Sequence, residues 1–215
     1  MMYAWVRENR GFVLFMVLFG LFRTAVADWN PIPSASMRPN LLEGDVVLVN
    51  RLAYNLKLPL TDIVLARTGE PQRGDVVTFS SPKDGTRLIK RLIALPGDTV
   101  VMRDKQLRIN DEPAQYALVG TPSTATELPV DETLSGSERR IQWLTAHGRA
   151  DDFGPLVVPA GHYLMLGDNR DNSADSRYFG FVPRNLLIGR AERVLVSADI
   201  LDKWQPRFGR FGHAL

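Results

Sequence analysis

Three times along the chain a turn containing Gly-Asp delivers a short run of β-branched and apolar residues. Glu43-Gly44-Asp45 leads into Val46 to Asn50, Arg73-Gly74-Asp75 into Val76 to Phe79, and Gly97-Asp98 into Thr99 to Met102. Runs of that length after glycine turns predict turn-and-strand units, and their irregular spacing does not fit a solenoid. Between the second and third units, Arg87 to Pro96 is an apolar strand interrupted by Lys90 and Arg91. Strand neighbours point to opposite faces, so one of these two is expected to face solvent and the other the apolar side. Met102 to Asn110 predicts a hairpin with Asp104-Lys105 at its tip, Pro155 to Leu166 predicts strand, turn and strand, and Ala191 to Ile200 a last strand. The fold class is mainly β.

Two stretches break this pattern. Gly11 to Phe22 is uncharged, with Arg7 and Arg10 before it and Arg23 after it. From Gly11 to Ala27 such a helix would reach roughly 25 Å, near a bilayer span if Arg23 snorkels to the interface. It could be a membrane anchor, but taken alone it favours a cleavable signal peptide with Ala25-Val26-Ala27 as its small-x-small site. Under both readings the preceding basic residues place the N-terminus in the cytoplasm and the chain beyond Trp29 outside. The anchor reading is adopted, with Ala25-Val26-Ala27 retained. The second stretch, Asp111 to about Asp152, is rich in Pro, Ser, Thr, Glu and Gly, with Ile141 to Leu144 its one apolar run, and reads as an insertion. The resulting layout is a cytoplasmic N-terminus (1–10), an anchor (11–27), a main β core in two parts (28–110 and 153–200), an inserted subdomain (111–152) and a C-terminal tail (201–215).

Composition narrows the chemistry. The formal charge is +2 with Lys and Arg scattered, which gives no footprint for nucleic acid. Cysteine is absent, so disulfides, cysteine nucleophiles and thiolate metal sites are all excluded. His147, His162 and His213 lie far apart and show no metal-ligand spacing. No metal and no cofactor are expected.

Two serines, Ser34 and Ser36, stand one residue apart in Pro31 to Asn40, where prolines predict a stiff, extended backbone. Lys90 sits in the Leu88-Ile89-Lys90-Arg91 run, and residues 167–183 read GDNRDNSADSRYFGFVP, a polar loop of alternating carboxylates and arginines. In this order and wording the three segments resemble bacterial signal peptidase I. The resemblance covers the anchor and almost everything from Pro31 to about Ser197. It implies a signal-peptidase-like β-sheet catalytic domain with an inserted subdomain, preceded by one transmembrane helix. It also implies a single-pass enzyme of the bacterial inner membrane whose outer domain removes signal peptides from exported pre-proteins after small-x-small sites. Partners are then signal peptides and the lipid bilayer.

The resemblance implies a Ser36/Lys90 dyad acting through an acyl-enzyme. A serine hydroxyl needs a base to take its proton, and lysine can serve only when neutral, which burial among apolar side chains favours. Ser34 matches the oxyanion-holding serine, together with the Ser36 N–H, and Ser173 the lysine-orienting serine. Asp175 and Arg177 match a supporting salt bridge, and Gly167 a close backbone contact. Ile32, Pro33, Met37, Leu41, Val47, Leu88 and Ile89 are the apolar positions expected to shape shallow substrate depressions. The chain departs from the enterobacterial pattern in having one hydrophobic segment, an insertion without cysteine, and Arg38 where many relatives carry an apolar residue. Two alternatives stand beside this reading: a maturation peptidase of the same Ser/Lys type with a restricted substrate, and a non-enzymatic membrane-anchored β domain.

Overall fold

Alternation along the chain builds the main sheet. In Asp45–Asn50 every second residue, Asp45, Val47 and Val49, is buried, as a half-covered strand requires. A computed structural model describes residues 5, 7–59, 61, 63–119, 127–145 and 152–215, and sixteen strands run through it in chain order. The first eight are β1 (Ala27–Pro31), β2 (Asp45–Asn50), β3 (Asn55–Lys57), β4 (Val64–Arg67), β5 (Val76–Ser80), β6 (Arg87–Ala94), β7 (Thr99–Arg103) and β8 (Gln106–Ile109). The second eight are β9 (Glu112–Pro113), β10 (Gln115–Leu118), β11 (Glu127–Leu134), β12 (Ser137–Leu144), β13 (Phe153–Val157), β14 (His162–Leu166), β15 (Val182–Pro183) and β16 (Leu187–Ser197).

Seven of them form one antiparallel sheet in the order β1-β2-β16-β5-β6-β14-β15. The turn-and-strand units are therefore real, but the last long strand is inserted between the first two. It starts at Leu187 rather than Ala191, and Gly189 lets it lie against β2, where a Cβ would stand 2.5 Å from the Asn50 carbonyl. One buried cluster joins Ile32, Met37, Leu41, Val47, Val49, Val76, Ala191 and Val194, and a second joins Tyr54, Val77, Phe79, Leu92, Met165 and Leu187. A third, including Ile93, Val100, Leu107, Leu134 and Leu166, seats the sheet β13-β7-β8-β9. The hairpin tip at Asp104-Lys105 has positive φ at both residues, the geometry of a tight two-residue turn.

The described part of the insertion is built of regular strands. β10, β11 and β12 form a three-stranded sheet in which Val130, Glu132 and Leu134 alternate inward. Glu132 is buried because Arg170 grips both its oxygens at 2.6 Å and Arg139 Nε donates to it at 2.6 Å. Burial raises its pKa, but the two guanidiniums outweigh burial and hold the carboxyl at about 2.

The N-terminal helix is Arg10–Ala25, sixteen residues or about 24 Å, and none of its residues is buried. Phe12, Phe15, Leu18 and Phe22 are among its exposed side chains. No helix among the described residues is long and apolar enough to cross a membrane. Ala27 already belongs to β1, and Arg23 is held by the residues just after the helix. Its Nε donates to Asp28 at 3.1 Å and its guanidinium lies 4.4 Å from the centre of the Trp29 ring.

Candidate active site

Ser36 owes its place to the residues on either side of it. Ser34 is extended, as expected of this stretch, but Ala35–Met37 then makes one 3-10 turn rather than continuing straight. Met37 and Ile32 drive that turn, since both are drawn into the same buried cluster. The carbonyls of Ala35 and Ser36 are held from the polar loop, by Asn169 Nδ2 at 3.2 Å and Asn169 N–H at 3.1 Å. Arg38, next in the chain, is occupied by Glu43, to which Nε and Nη2 donate at 2.9 and 3.1 Å.

Lys90 arrives from β6. Its Nζ lies 2.5 Å from Ser36 Oγ, and the residue is 3% exposed. Burial lowers its pKa to about 8, against the attraction of Asp175 and Asp168 and with help from Arg177. Contrary to the expected alternation, Arg91 is buried as well, at 7% exposure. It satisfies its charge internally, with Nε and Nη2 donating to Asp168 at 2.8 and 2.7 Å and Nη1 to the Gly74 carbonyl at 2.8 Å. A second basic residue can turn inward when a carboxylate waits for it.

A serine hydroxyl thus lies against a buried, weakly basic lysine, and the family model for "Signal peptidase, peptidase S26" matches residues 4–196. The chain belongs to the signal peptidase S26 family. Signal peptidase I of Pseudomonas fluorescens is 41% identical over 215 aligned residues, covering 93% of this chain and 75% of the relative. That of Pseudomonas aeruginosa is 39% identical with the same coverage, and that of Rickettsia typhi 32% identical, covering 90% of this chain and 81% of the relative. The protein is thus a peptidase of signal-peptide processing.

The rest of the expected signal peptidase site assembles unevenly. Ser34 Oγ lies 3.4 Å from Ser36 Oγ. Asp175 is fully buried and paired with Arg177, whose Nε and Nη2 donate at 2.8 Å each, and it accepts the Gly167 N–H at 2.9 Å. Gly167 is pressed between Ser173 and the Ser36 carbonyl, and a Cβ there would stand 2.5 Å from that oxygen. Ser173 is beside the site, but its hydroxyl is buried without a hydrogen-bond partner rather than bonded to Lys90. Of the apolar positions, Met37, Leu41 and Val47 are fully buried and Ile32 nearly so, while Pro33, Leu88 and Ile89 keep exposed surface. Ile89 packs on the Met37 cluster and Leu88 on the Phe79 cluster, so the two point apart. His147 lies outside the described residues.

Several positioning residues were not singled out from sequence: Asn169, Asp168, Arg91, Asn40 and Arg210. Asn40 Nδ2 donates to Asp168 Oδ2 and to the Arg140 carbonyl, each at 2.7 Å, which ties the turn after Ser36 to both loop and insertion. β12 touches the same loop, since the Gln142 N–H donates to the Asp168 carbonyl and the Arg170 N–H to that of Gln142, both at 2.9 Å. The C-terminal tail is docked too: Arg210 Nε donates to Asp45 at 3.0 Å and Nη2 to the Asn40 carbonyl at 2.8 Å. Adjacent carboxylates and amides in 167–183 were the available signal for Asp168 and Asn169. Nothing local marked Arg210.

Two unpaired strand edges flank Ser36 and Lys90, and the strip between them is the slot. β1 is an edge strand, and β6 pairs with β14 only from Arg91 onward, which leaves the flank of 87–90 unpaired. Lys90 meets Ser36 at one end of this flank, and Arg87 meets Asp28 and Asn30 at the other. The two free edges therefore run alongside each other in the same direction.

Proposed function

We propose that this family member removes signal peptides with Ser36 as nucleophile and Lys90 as general base. The observation that carries the reading is the 2.5 Å approach of Ser36 Oγ to a buried Lys90 Nζ whose pKa is drawn down to about 8. In the free-base form the Lys90 lone pair accepts the Ser36 hydroxyl proton as Oγ attacks the scissile carbonyl. Ser34 Oγ–H and the Ser36 N–H donate to the oxyanion. Collapse breaks the C–N bond, with the Lys90 ammonium protonating the departing amine and leaving an ester on Ser36. Lys90 then takes a proton from water as the water attacks the ester, and returns that proton to Ser36 Oγ as the C–O bond breaks, which releases the signal peptide as a carboxylic acid that ionises and restores both groups. The buried, partnerless Ser173 hydroxyl is a ready acceptor for the Lys90 ammonium, and Asp175 with Arg177 fixes the loop that carries it.

The substrate is read as an extended strand laid in the slot, where the unpaired backbone groups of β1 and β6 pair with it. Because the apolar residues behind Ser36 are packed shut, only shallow depressions remain, which favours small side chains just before the cut. The all-round apolar helix Arg10–Ala25, with Arg23 and Trp29 at its end, is read as the anchor at the outer face of the bacterial inner membrane. Incubating the detergent-solubilised full chain with a signal-bearing precursor and sequencing the product tests this. A single new N-terminus directly after a small-x-small site is expected. An uncut precursor, or cuts after large residues, would overturn the reading.

A further inference from the structure

The end of the slot away from Ser36 is closed by charge. Arg87 Nη1 reaches from β6 to β1, donating to Asp28 Oδ2 at 3.0 Å and to Asn30 Oδ1 at 2.9 Å. Asp28 also accepts from Arg23 Nε at 3.1 Å and from Arg51 Nη1 at 3.5 Å. The carboxylate is buried, whereas the Arg23 and Arg87 side chains are 46% and 50% exposed. Two half-exposed guanidiniums therefore share one carboxylate, and this end of the slot shows water an excess of positive charge.

Strand geometry gives the distance from the chemistry. Arg87 stands three residues before Lys90 in one strand, about 10 Å at ~3.3 Å per residue. The N-terminal helix joins β1 at this same end. A signal peptide whose apolar part lies in the bilayer beside that helix thus passes Arg87 before its cut site reaches Ser36. With the residue before the cut level with Lys90, Arg87 stands beside about the fourth residue before it.

Resting on the slot and dyad reading above, we infer that Arg87 is a specificity-determining residue that, with Arg23, favours an acidic side chain over a basic one about four residues before the cut. A strand entering the slot must pass between Arg87 and its two acceptors. A substrate carboxylate there takes up the guanidinium that Asp28 and Asn30 release, whereas a substrate ammonium is set against two like charges. The pairs are partly exposed, so the discrimination is modest and salt-sensitive.

Six otherwise identical precursor peptides, with Glu, Gln or Lys at the fourth or at the fifth position before one fixed cut site, provide the test. The wild-type chain should cut the Glu peptide at one of these positions with kcat/KM about fivefold above the Lys peptide at low salt, the ratio falling toward one in about 0.5 M salt. Arg87→Gln should shrink the ratio and Arg87→Glu should invert it. The ratio is internal to each variant, so a lower fraction of folded protein cancels. An Arg87→Glu ratio equal to the wild-type ratio would overturn the inference. So would an unchanged ratio with a rate that now responds differently to anionic and zwitterionic vesicles, since that assigns Arg87 to lipid headgroups. If the wild-type chain cut none of the peptides, the dyad reading itself would fall, a result separable from the other two.

Discussion

Ser36→Ala and Lys90→Ala should each lower cleavage by a factor on the order of 10⁴ or more, and the double variant should be no worse than either single one. In the proposed mechanism the two groups act as one unit. Without Lys90 no buried base accepts the Ser36 proton, and without Ser36 the lysine has nothing to activate except water held in the wrong place. Stability should move differently. The folded Lys90 pKa of about 8 lies below its unfolded value of 10.5, so burial disfavours the folded state below pH 8, by about 3 kcal/mol, and the cost disappears as pH rises past 10.5. Lys90→Met removes that cost while filling similar volume, so its thermal midpoint at pH 7 should match or exceed that of the wild-type chain. Cleavage above about one hundredth of the wild-type rate in a folded Lys90 variant would remove the lysine from its role.

Gly167→Ala should cost at least about 100-fold in cleavage and roughly 1–3 kcal/mol in stability, for a single added methyl group. The new Cβ would stand 2.5 Å from the Ser36 carbonyl oxygen and equally close to Ser173 Cβ. Neither neighbour is the loose end of a flexible side chain. One is the backbone of the turn that carries Ser36, already held by the Asn169 N–H, and the other is the buried Ser173. The loop must back away from Ser36, which displaces Ser36 from Lys90. Gly167→Ala combined with Ser173→Gly should recover part of the stability, since half of the collision is removed, but little of the activity. A Gly167→Ala chain that cuts normally would show that the loop is not pressed against the nucleophile in solution.

What could be read from the sequence depended on how far away the cause lay. β2, β5 and β7 were legible because each comes directly after its own glycine turn. Their pairing was not, since β16 enters the middle of the sheet from the far end of the chain. Ser36 and Lys90 were legible as parts of short, distinctive strings, yet the inward turn of Arg91 depends on Asp168, which is remote in sequence and meets it only after folding. The interior of the insertion was not legible for the same reason. Glu132, Arg139 and Arg170 look like surface residues one at a time and become interior only as a group. Of the apolar positions expected to shape substrate depressions, Met37, Leu41 and Val47 are packed interior rather than open surface, because Ile32 and Val194 close over them in one cluster.

The most direct test of a Ser36/Lys90 dyad is the pH dependence of kcat/KM on a single precursor that carries no titrating side chain near its cut site. If the Lys90 free base takes the Ser36 proton, the rate rises with pH through an apparent pKa near 8, because burial has brought the lysine down to that value. A rising limb near 10.5 would mean a solvated lysine, and one near or below about 6 would assign the base to a histidine or carboxylate; either result would contradict a buried Lys90 acting on Ser36.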